Sequence, residues 1–596
     1  MSGYDFLPVS REDMLSRGWY YYDFLLVTGD AYVDHPSFGA AVIGRVLEAE
    51  GHRVAVLAQP CFHDASAFEA MGRPRYAALV TAGNLDSMVA RFTAAKKPRS
   101  EDFYSPGKKA GLRPQRATIV YSNRVREVFP GLPVVIGGVE ASLRRFAHYD
   151  YWEDKVRRPI LFDCGADFIV FGMGEAAIIE LARRLARKED VRTVTDVRGT
   201  GYIAADTSAC AFPSVTCASF EEVSSDKRAY ASAAMMQLYE FDPVRGKAVV
   251  QSCGERALII NPPARTLKTA ELDRIYALPY KRKAHPMYEK AGGVPAIDEV
   301  RFSIIHNRGC FGACNFCALA FHQGRTVASR SHESVLREVE EFVRNPEFKG
   351  YVHDVGGPTA NFRRPSCKKQ RSAGMCFRSC LVPEPCGEID ADHTDYLLLL
   401  RKVAAIPGVK KVFVRSGIRY DYLMLDKNGE CFTELVKNHI SGQLKVAPEH
   451  YSDKVLYYMG KPQIAAFDRF FEKYKRLNKR YEKEQYLVPY LISSHPGSTT
   501  EDAIALAEYL NRIGCQPQQV QDFYPTPGTL STCMYYTGLD PRTMKPVHVP
   551  RTPEEKAVQR ALLQWKKPQN RNIVRRALIK AGREDLIGHG KRCLIR

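Results

Sequence analysis

The first third of the chain alternates short apolar runs with amphipathic segments. Residues 22–30 form an apolar run that ends in turn residues, and residues 37–52 carry apolar residues at helical spacing up to Gly51. More apolar runs of strand length follow at 53–59, 76–83, 132–138 and 166–175. Continuous apolar strands that alternate with helices predict a doubly wound parallel sheet, with ligands near the carboxyl ends of its strands. We assign this Rossmann-like α/β domain to residues 1–200.

The pattern changes after residue 200. Residues 201–297 contain one predicted helix, at 227–243, and one predicted strand followed by a proline-rich connection, at 257–267. They therefore predict a linker region of mixed structure. Residues 298–545 alternate strand and helix patterns six times, with the last strand at 519–528. This alternation fits a (β/α)6 partial TIM barrel better than a second doubly wound sheet.

The C-terminal region, residues 546–596, predicts two basic helices. The first has Thr552 as its N-cap and Pro553 at the first helical position. The formal net charge of the chain is +19, and residues 551–596 carry 13 Lys and Arg against 4 Asp and Glu. This excess suits a nucleic acid or an anionic cofactor or substrate, but a merely solvated basic surface explains it equally well.

Composition places the chain among globular proteins, because the hydrophobic content of 45% and the charged content of 26% are both ordinary. No uninterrupted apolar run approaches the roughly 18 residues that a membrane helix needs. The first 15 residues contain acids and lack the apolar core of a secretory signal. We therefore expect a cytoplasmic protein without a membrane partner.

The chain has 16 cysteines, and seven of them lie between residues 310 and 386. Thiols stay reduced in the cytoplasm, where clustered cysteines bind metal more often than they form disulfides. The other nine are scattered singly along the chain. We expect each of those nine to be a buried thiol of the core.

The stretch RGCFGACNFCAL at residues 308–319 contains three closely spaced cysteines: Cys310, Cys314 and Cys317. They follow a predicted strand directly, and Gly309 and Gly312 let the backbone fold around a bulky group. A structural zinc ion normally has four protein ligands, whereas three cysteines on a four-iron cubane leave one iron open. Zinc with His306 or His322 as a distant fourth ligand is the alternative.

A second group of four cysteines follows within twenty residues, in the pattern C-x8-C-x3-C-x5-C: Cys367, Cys376, Cys380 and Cys386. The neighbouring Arg, Lys and Pro residues do not resemble a packed core. This group is a candidate second metal site, for an auxiliary Fe–S cluster or a structural zinc, with His393 as a substitute ligand. Unmetallated loop thiols are the alternative, and spacing does not choose between iron and zinc.

The spacing C-x3-C-x2-C follows the first predicted barrel strand and has an aromatic residue, Phe316, directly before its last cysteine. This motif in this place resembles the radical S-adenosylmethionine (SAM) superfamily. The segment HDVGGPTAN, residues 353–361, places Gly356 and Gly357 at the end of the next strand. The superfamily has a glycine-rich strand end at this place, against the methionine part of the cofactor. The segments FLPVSREDM and VIGGVEASLRR, together with the basic C-terminal region, are similar to YgiQ-type radical SAM proteins, so the resemblance covers nearly the whole chain.

This resemblance implies a [4Fe–4S] cluster ligated by the three cysteines and S-adenosyl-L-methionine held near Gly356 and Gly357. It also implies a one-electron reductant, such as flavodoxin or ferredoxin, and reductive cleavage of SAM to a 5′-deoxyadenosyl radical that takes hydrogen from a substrate. Neither the sequence nor the resemblance names that substrate or a catalytic residue. RNA is retained as a candidate substrate class.

In related enzymes a Rossmann-like domain before the barrel often binds cobalamin through the motif Asp-x-His-x-x-Gly. This chain has DHPSFG at residues 34–39, in which Asp34 and Gly39 are correctly spaced but His35 stands one position early. A loop histidine after a strand is more often a turn or capping residue. We therefore expect no cobalamin and a repurposed domain, with His35 as the residue to test.

Two other classes of protein compete with a radical enzyme. An Fe–S or zinc protein that binds nucleic acid, for example an RNA-modification factor, would use the basic tail as its anchor. That tail has only Trp565 to stack on bases, so it suggests phosphate contact at most. A ferredoxin-like electron carrier is disfavoured, because its cluster needs four ligands and the chain is far longer than such carriers.

Overall fold

The computed structural model describes residues 6–205, 210–517 and 520–596. Residues 1–5 lie outside the described residues; they are part of the segment that the prediction about a secretory signal concerns. Residue 519, the first of the sixth predicted strand, also lies outside them. Within the described ranges, no helix combines the length and the apolar character needed to cross a membrane.

The N-terminal half is built on one nine-stranded sheet. Five neighbouring strands are parallel, in the spatial order Val54–Ala58, Phe24–Thr28, Ala77–Thr81, Val134–Gly137 and Phe168–Val170. Leu26 pairs with Val56 on one side and with Leu79 on the other. Helices Gly39–Ala49 and Glu175–Ala186 share one apolar cluster with the sheet, and helix Ala117–Val128 belongs to a second cluster. The predicted parallel sheet is confirmed.

Residues 200–260 do not form a linker. They contribute four more strands to the same sheet, in the order Thr200–Ala204, Arg256–Ile260, Ala248–Cys253 and Ser214–Thr216. The two strands 248–253 and 256–260 form an antiparallel hairpin around Gly254, which has a φ of 59°. The expectation was wrong because three of the four added strands join the sheet through antiparallel pairs, which lack the strand–helix–strand pattern. The outermost strand, Ser214–Thr216, pairs in parallel with Ala248–Cys253. A glycine-containing two-residue turn between apolar runs was the available signal.

Residues 201–297, which the sequence predicts to be a linker region, also contain helices Lys227–Glu240 and Thr269–Tyr276. The first coincides with the helix that the sequence predicts at 227–243. Both pack near the junction between the large sheet and the second half of the chain.

The second half alternates strands and helices in chain order. Its strands are Ser303–Ile305, Tyr351–Val352 with Asp354–Gly356, Lys411–Val412, Gln443–Glu449, Tyr486–Ser493 and Gln521–Asp522. All pairs among them are parallel. The longer helices between them are His332–Arg344, Thr394–Ala404, Ile464–Arg480 and Thr500–Arg512. The parallel pairs place the carboxyl ends of the first three strand positions on one side, and those of the last three on one side likewise.

The C-terminal region forms helices Pro553–Leu563 and Arg571–Lys580, as predicted. The Thr552 hydroxyl accepts a hydrogen bond from the Glu555 amide at 3.1 Å, which caps the first helix. Trp565 is only 2% exposed and packs in the core of the strand–helix block with Leu562 and Leu578. The tail is therefore part of that core, and Trp565 is not available to stack on a nucleic-acid base.

Candidate functional site

The loop that carries the three cysteines folds back sharply after strand Asn307–Arg308. Gly309 has a φ of 79°, and a Cβ there would collide with the Thr326 carbonyl. The Cys310 amide donates to the Gly324 carbonyl at 3.1 Å, and the Cys317 amide donates to the Cys314 carbonyl at 3.0 Å. The loop thus closes on itself and gathers the three thiols.

Two residues from later strand ends meet this loop. The Cys310 sulfur lies 3.4 Å from the Thr359 hydroxyl, and Arg419 Nη1 donates to the Cys314 sulfur at 3.2 Å. A Cβ on Gly312 would lie 2.8 Å from Arg419 Nη1, so only glycine lets the guanidinium approach. The tertiary structure therefore brings together the triplet and the ends of the next two strands, in segments 353–361 and 414–419.

Burial dominates the electrostatics of the thiols. It raises the pKa of Cys310, against the opposing effects of the Thr359 hydroxyl and the Arg419 guanidinium. It raises the pKa of Cys317 to about 12, and the neighbouring thiols add to that shift. Without metal these groups are neutral thiols, so a metal must displace protons from them when it binds.

Arg419 is a site residue that the sequence reasoning missed. It is 6% exposed, and its Nε donates to Asp421 at 2.7 Å. Its Nη2 is buried and has no hydrogen-bond partner among the described residues. A buried donor of this kind is costly to leave unpaired, and a planar guanidinium suits a carboxylate. The available signal was an arginine in residues 414–419, shortly after the third strand of the strand–helix block.

Glu449 ends strand Gln443–Glu449 with a φ of 70° and is 7% exposed. Burial raises the pKa of its carboxyl to about 7, although the nearby cations of Lys461 and Arg419 oppose the shift. An acid that titrates near neutrality therefore lies within electrostatic reach of the arginine beside the triplet.

Gly356 and Gly357 are packed too tightly to accept a side chain. A Cβ on Gly356 would collide with Ser416 and the Asp354 carboxylate, and one on Gly357 would collide with the Asn307 side chain. Neighbouring strand ends thus require glycine at both positions whether or not a ligand binds there. Gly357 also lines a large cavity together with Asn307, whose Oδ1 is buried without a partner in the described part of the chain. Their contact with a cofactor stays a prediction.

That cavity has a volume of about 570 Å³ and lies between the large sheet and the strand–helix block. The sheet contributes Thr81, Gly137 and Gly172, and the block contributes Asp354, Gly357 and Ser416. An apolar slot continues toward Leu26 and Val42. The cavity therefore lies at the carboxyl ends of the parallel strands, where open α/β sheets bind ligands.

The segment 34–39 lies beside this cavity, but its histidine does not line it. His35 is 1% exposed, its Nδ1 accepts from the Ser37 amide at 3.1 Å, and its Nε2 lies 3.4 Å from the Arg282 guanidinium. His35 is thus a turn residue, whereas Gly39 does line the cavity.

The histidines proposed as alternative zinc ligands are already engaged. His306 Nε2 lies 2.8 Å from the Ala360 carbonyl, and His322 Nδ1 lies 3.0 Å from the Ser142 hydroxyl. Within residues 6–205, 210–517 and 520–596, no three His, Cys, Asp or Glu side chains converge on a position for one metal ion. The arrangement gives no support to a single zinc ion at the triplet.

The second cysteine group gathers around a separate cavity of about 90 Å³, which all four of its cysteines line. His393 does not join them, since its Nε2 lies 3.0 Å from the Asn361 amide nitrogen and its Nδ1 lies 2.8 Å from the Ala391 carbonyl. The structure therefore brings together the four cysteines and leaves the substitute ligand out.

The nine scattered cysteines divide into two sets. Five are buried, as predicted: Cys164, Cys217, Cys253, Cys431 and Cys533. For the other four the prediction was wrong, because Cys61 is exposed and three are partly exposed: Cys210, Cys515 and Cys593. Spacing along the chain does not report burial for a single small side chain.

Comparison with protein families covers almost the whole chain. The model of the Radical SAM N-terminal family matches residues 6–303, and the model of the Radical SAM superfamily matches residues 304–510. A domain of unknown function, DUF3362, matches residues 518–596.

Relatives of similar length share more than half of the residues. A UPF0313 protein of Clostridium perfringens (strain 13 / Type A) is 55% identical over all of this chain and 90% of its own length. A UPF0313 protein of Clostridium botulinum (strain 657 / Type Ba4) is 55% identical over all of this chain and 93% of its own length.

Two solved structures are similar at lower identity. The radical SAM methyltransferase TsrM from Kitasatospora setae, with cobalamin and a [4Fe–4S] cluster bound, is 15% identical, with a TM-score of 0.48 over 86% of this chain and 79% of that chain. The cobalamin-dependent SAM radical enzyme OxsB, with aqua-cobalamin bound, is 11% identical, with a TM-score of 0.46 over 87% of this chain and 56% of that chain.

The expectation that cobalamin does not bind is contradicted by these comparisons. The Radical SAM N-terminal family model, which points to cobalamin binding, matches residues 6–303. The inference failed because it rested on a single displaced histidine. His35 is buried in a turn, so its position does not report on what the 570 Å³ cavity can hold.

Proposed function

The chain belongs to the radical SAM superfamily and to the UPF0313 family, and on this basis we propose that Cys310, Cys314 and Cys317 hold its [4Fe–4S] cluster. The observation that carries the proposal is the set of three gathered thiols with a buried, unpaired Arg419 Nη2 beside them among the described residues. A cubane on three cysteines has one open iron, and the orphan guanidinium nitrogen suits the carboxylate of SAM.

When bound, the cluster and SAM supply a one-electron cleavage that yields a 5′-deoxyadenosyl radical. The residues of this chain then have the following roles. The three cysteines would hold the cluster, Arg419 would pair with the SAM carboxylate, and Gly356 with Gly357 would leave backbone groups free at the strand end. The packed walls exclude water.

The finer fold assignment also belongs to this proposal. The strand–helix block is a (β/α)6 partial barrel from residue 298 to 545, and the N-terminal sheet is of the cobalamin-binding type. The parallel pairing of strands and the strand–helix alternation support the first part. A one-electron reductant and a substrate complete the reaction. RNA stays a candidate substrate on the net charge of +19 alone.

The test compares wild type with Cys314→Ala after anaerobic reconstitution with iron and sulfide. With dithionite as reductant, wild type should form 5′-deoxyadenosine from SAM, and Cys314→Ala should fall to the level measured without protein. Cys61→Ala, at an exposed thiol outside both groups, is the matched control and should keep wild-type activity. Equal product from wild type and Cys314→Ala would rule the assignment out.

The cavity between the two halves supports a second cofactor, and we propose cobalamin for it. Its volume of about 570 Å³ and its apolar slot between the strands and helix Gly39–Ala49 fit a large cofactor with a long tail. Protein incubated with hydroxocobalamin and desalted should retain the visible absorption of the corrin. Ile43→Trp, which fills the slot, should abolish retention, while an unchanged amount would contradict this site.

A further inference from the structure

We propose that a second [4Fe–4S] cluster binds to Cys367, Cys376, Cys380 and Cys386. The four cysteines line one cavity of about 90 Å³, although up to 19 positions separate them along the chain. This site goes beyond the proposed function, which uses only the cysteine triplet.

The loop is organised around its own cysteines. The Cys386 amide donates to the Cys380 carbonyl at 2.9 Å, and the Gln370 amide donates to the Cys367 carbonyl at 3.3 Å. The Cys380 thiol donates to the Ser366 hydroxyl at 3.2 Å. These bonds turn the chain so that all four cysteine side chains border one space. Thiols that share no function would not be expected to lie around a common cavity.

The large sheet anchors the same loop from outside. The Asp242 carboxylate accepts from the Met375 amide at 2.7 Å and from Arg245 Nε at 3.1 Å. Gly374 has a φ of 77°, and a Cβ there would lie 2.5 Å from the Asp242 carboxylate. The cavity therefore has walls held by contacts with a second part of the fold.

The size of the cavity favours a cluster over a single ion. A space for one water needs only about 10–15 Å³, so 90 Å³ is several times what one ion requires. The four sulfurs do not converge on one position, since no group of three metal-ligating side chains does so in the part of the chain that the structure describes. A cubane with four cysteine ligands needs four thiols that border one space larger than a single ion, and the four cysteines border such a space here.

The charge of the cavity wall also favours an anionic guest. Arg325 lines the cavity. No carboxylate in the described ranges forms an ion pair with Arg325, and no acid lines this cavity. Arg378 adds a second cation to the wall. A cluster with four thiolate ligands carries net negative charge and would compensate both.

The two cysteine groups share a wall. Phe311, which follows Cys310, lines the second cavity and stacks on Phe362 with ring centroids 3.8 Å apart. Cys310 and Cys380 both pack against the small apolar cluster that contains these rings. The second cluster would thus lie next to the first, behind a layer of aromatic side chains, and its four protein ligands would leave no open iron for SAM.

The test uses the full chain purified without oxygen, with iron, zinc and acid-labile sulfide measured before any reconstitution. The triple variant Cys310→Ala, Cys314→Ala, Cys317→Ala removes the first site, so whatever it retains reports the second alone. We expect about four iron and four sulfide per chain in the triple variant and about eight of each in wild type. The Mössbauer spectrum of the triple variant should be that of a fully cysteine-ligated cubane.

Adding Cys380→Ala to the triple variant should remove that iron, whereas adding Cys61→Ala should leave it in place. Retention of one zinc ion, or of no metal, by the triple variant would overturn the proposal. The triple variant leaves the sequence of the four-cysteine loop unchanged, and a far-UV circular dichroism spectrum that matches wild type checks that the chain is folded. Because this variant lacks the triplet, failure here is separate from failure of the proposed function.

Discussion

The two cysteine groups contain almost the same chemistry and lie on either side of one aromatic layer, but their surroundings differ. The triplet stands at the strand ends of the strand–helix block, where Arg419 Nη1 donates to the Cys314 sulfur at 3.2 Å. The four-cysteine group lies in a loop whose cavity wall contains Arg325 and Arg378. The first group is one ligand short and has an unpaired donor in the described part of its cleft. The second has four cysteines, which is the number of ligands that a cubane takes.

If both groups bind clusters as proposed, the difference between three and four cysteine ligands separates two uses of the same kind of metal cluster. A site with three ligands and an unpaired buried donor has a place for another molecule, so it can bind SAM at the metal. A site with four ligands is complete without any other molecule. Position in the fold would decide which use applies, because the triplet contacts Thr359 and Arg419, which follow the next two strands of the block.

The largest expected effect tests that separation directly. Cys314→Ala should abolish 5′-deoxyadenosine formation with dithionite, whereas Cys380→Ala should keep it within about tenfold of wild type, since the second site does not contact SAM. Both variants are measured after reconstitution, with iron content as the control for loading. If Cys380→Ala also abolishes SAM cleavage, the two groups act as one site and the comparison fails.

A smaller effect is expected at the two arginines. Arg419→Gln should raise the KM for SAM by about 10- to 100-fold, because it removes a charged hydrogen bond to the substrate carboxylate. Arg325→Gln is the matched control at the other group and should change that KM by less than about twofold. An equal rise in both variants would show that the arginines act through folding or overall charge.

The smallest effect is a pH dependence on the triplet side. Burial raises the pKa of Glu449 to about 7, so the folded chain favours the protonated carboxyl. The buried neutral carboxyl therefore contributes to the free energy of unfolding fully below the ordinary pKa of a glutamate. This contribution is lost as pH rises through about 7. Between pH 5 and 8, the free energy of unfolding of Glu449→Gln should therefore rise by on the order of 1 kcal/mol relative to that of wild type.

The measurement for Glu449 is thermal unfolding of the metal-free chain across this pH range. Glu430→Gln, at an exposed glutamate, is the control and should follow wild type at every pH. A constant difference between Glu449→Gln and wild type would mean that the carboxyl does not titrate there.

Local patterns predicted the regular parts of the fold well. The apolar runs at 22–30 and 76–83 became neighbouring parallel strands, and the capped helix at Pro553–Leu563 formed as expected. Each of these elements depends on residues close together in the chain. Of the edge strands between residues 200 and 260, only Arg256–Ile260 matches a strand that the sequence predicts. The other three were missed because most pairs at this edge are antiparallel, and one partner, Phe168–Val170, lies outside the segment.

The sequence by itself determined the ligand atoms of this protein: three thiols in eight positions, four more within twenty, and glycines at the strand end between them. Only the tertiary structure decided which other residues meet those thiols. Arg419 reaches Cys314 across 105 positions, and the four cysteines share a cavity whose wall includes Arg325. Spacing along a chain indicates which atoms lie near one another only when they belong to the same loop. Burial, unpaired donors and cavity volume instead arise from contacts between segments that are distant in the sequence.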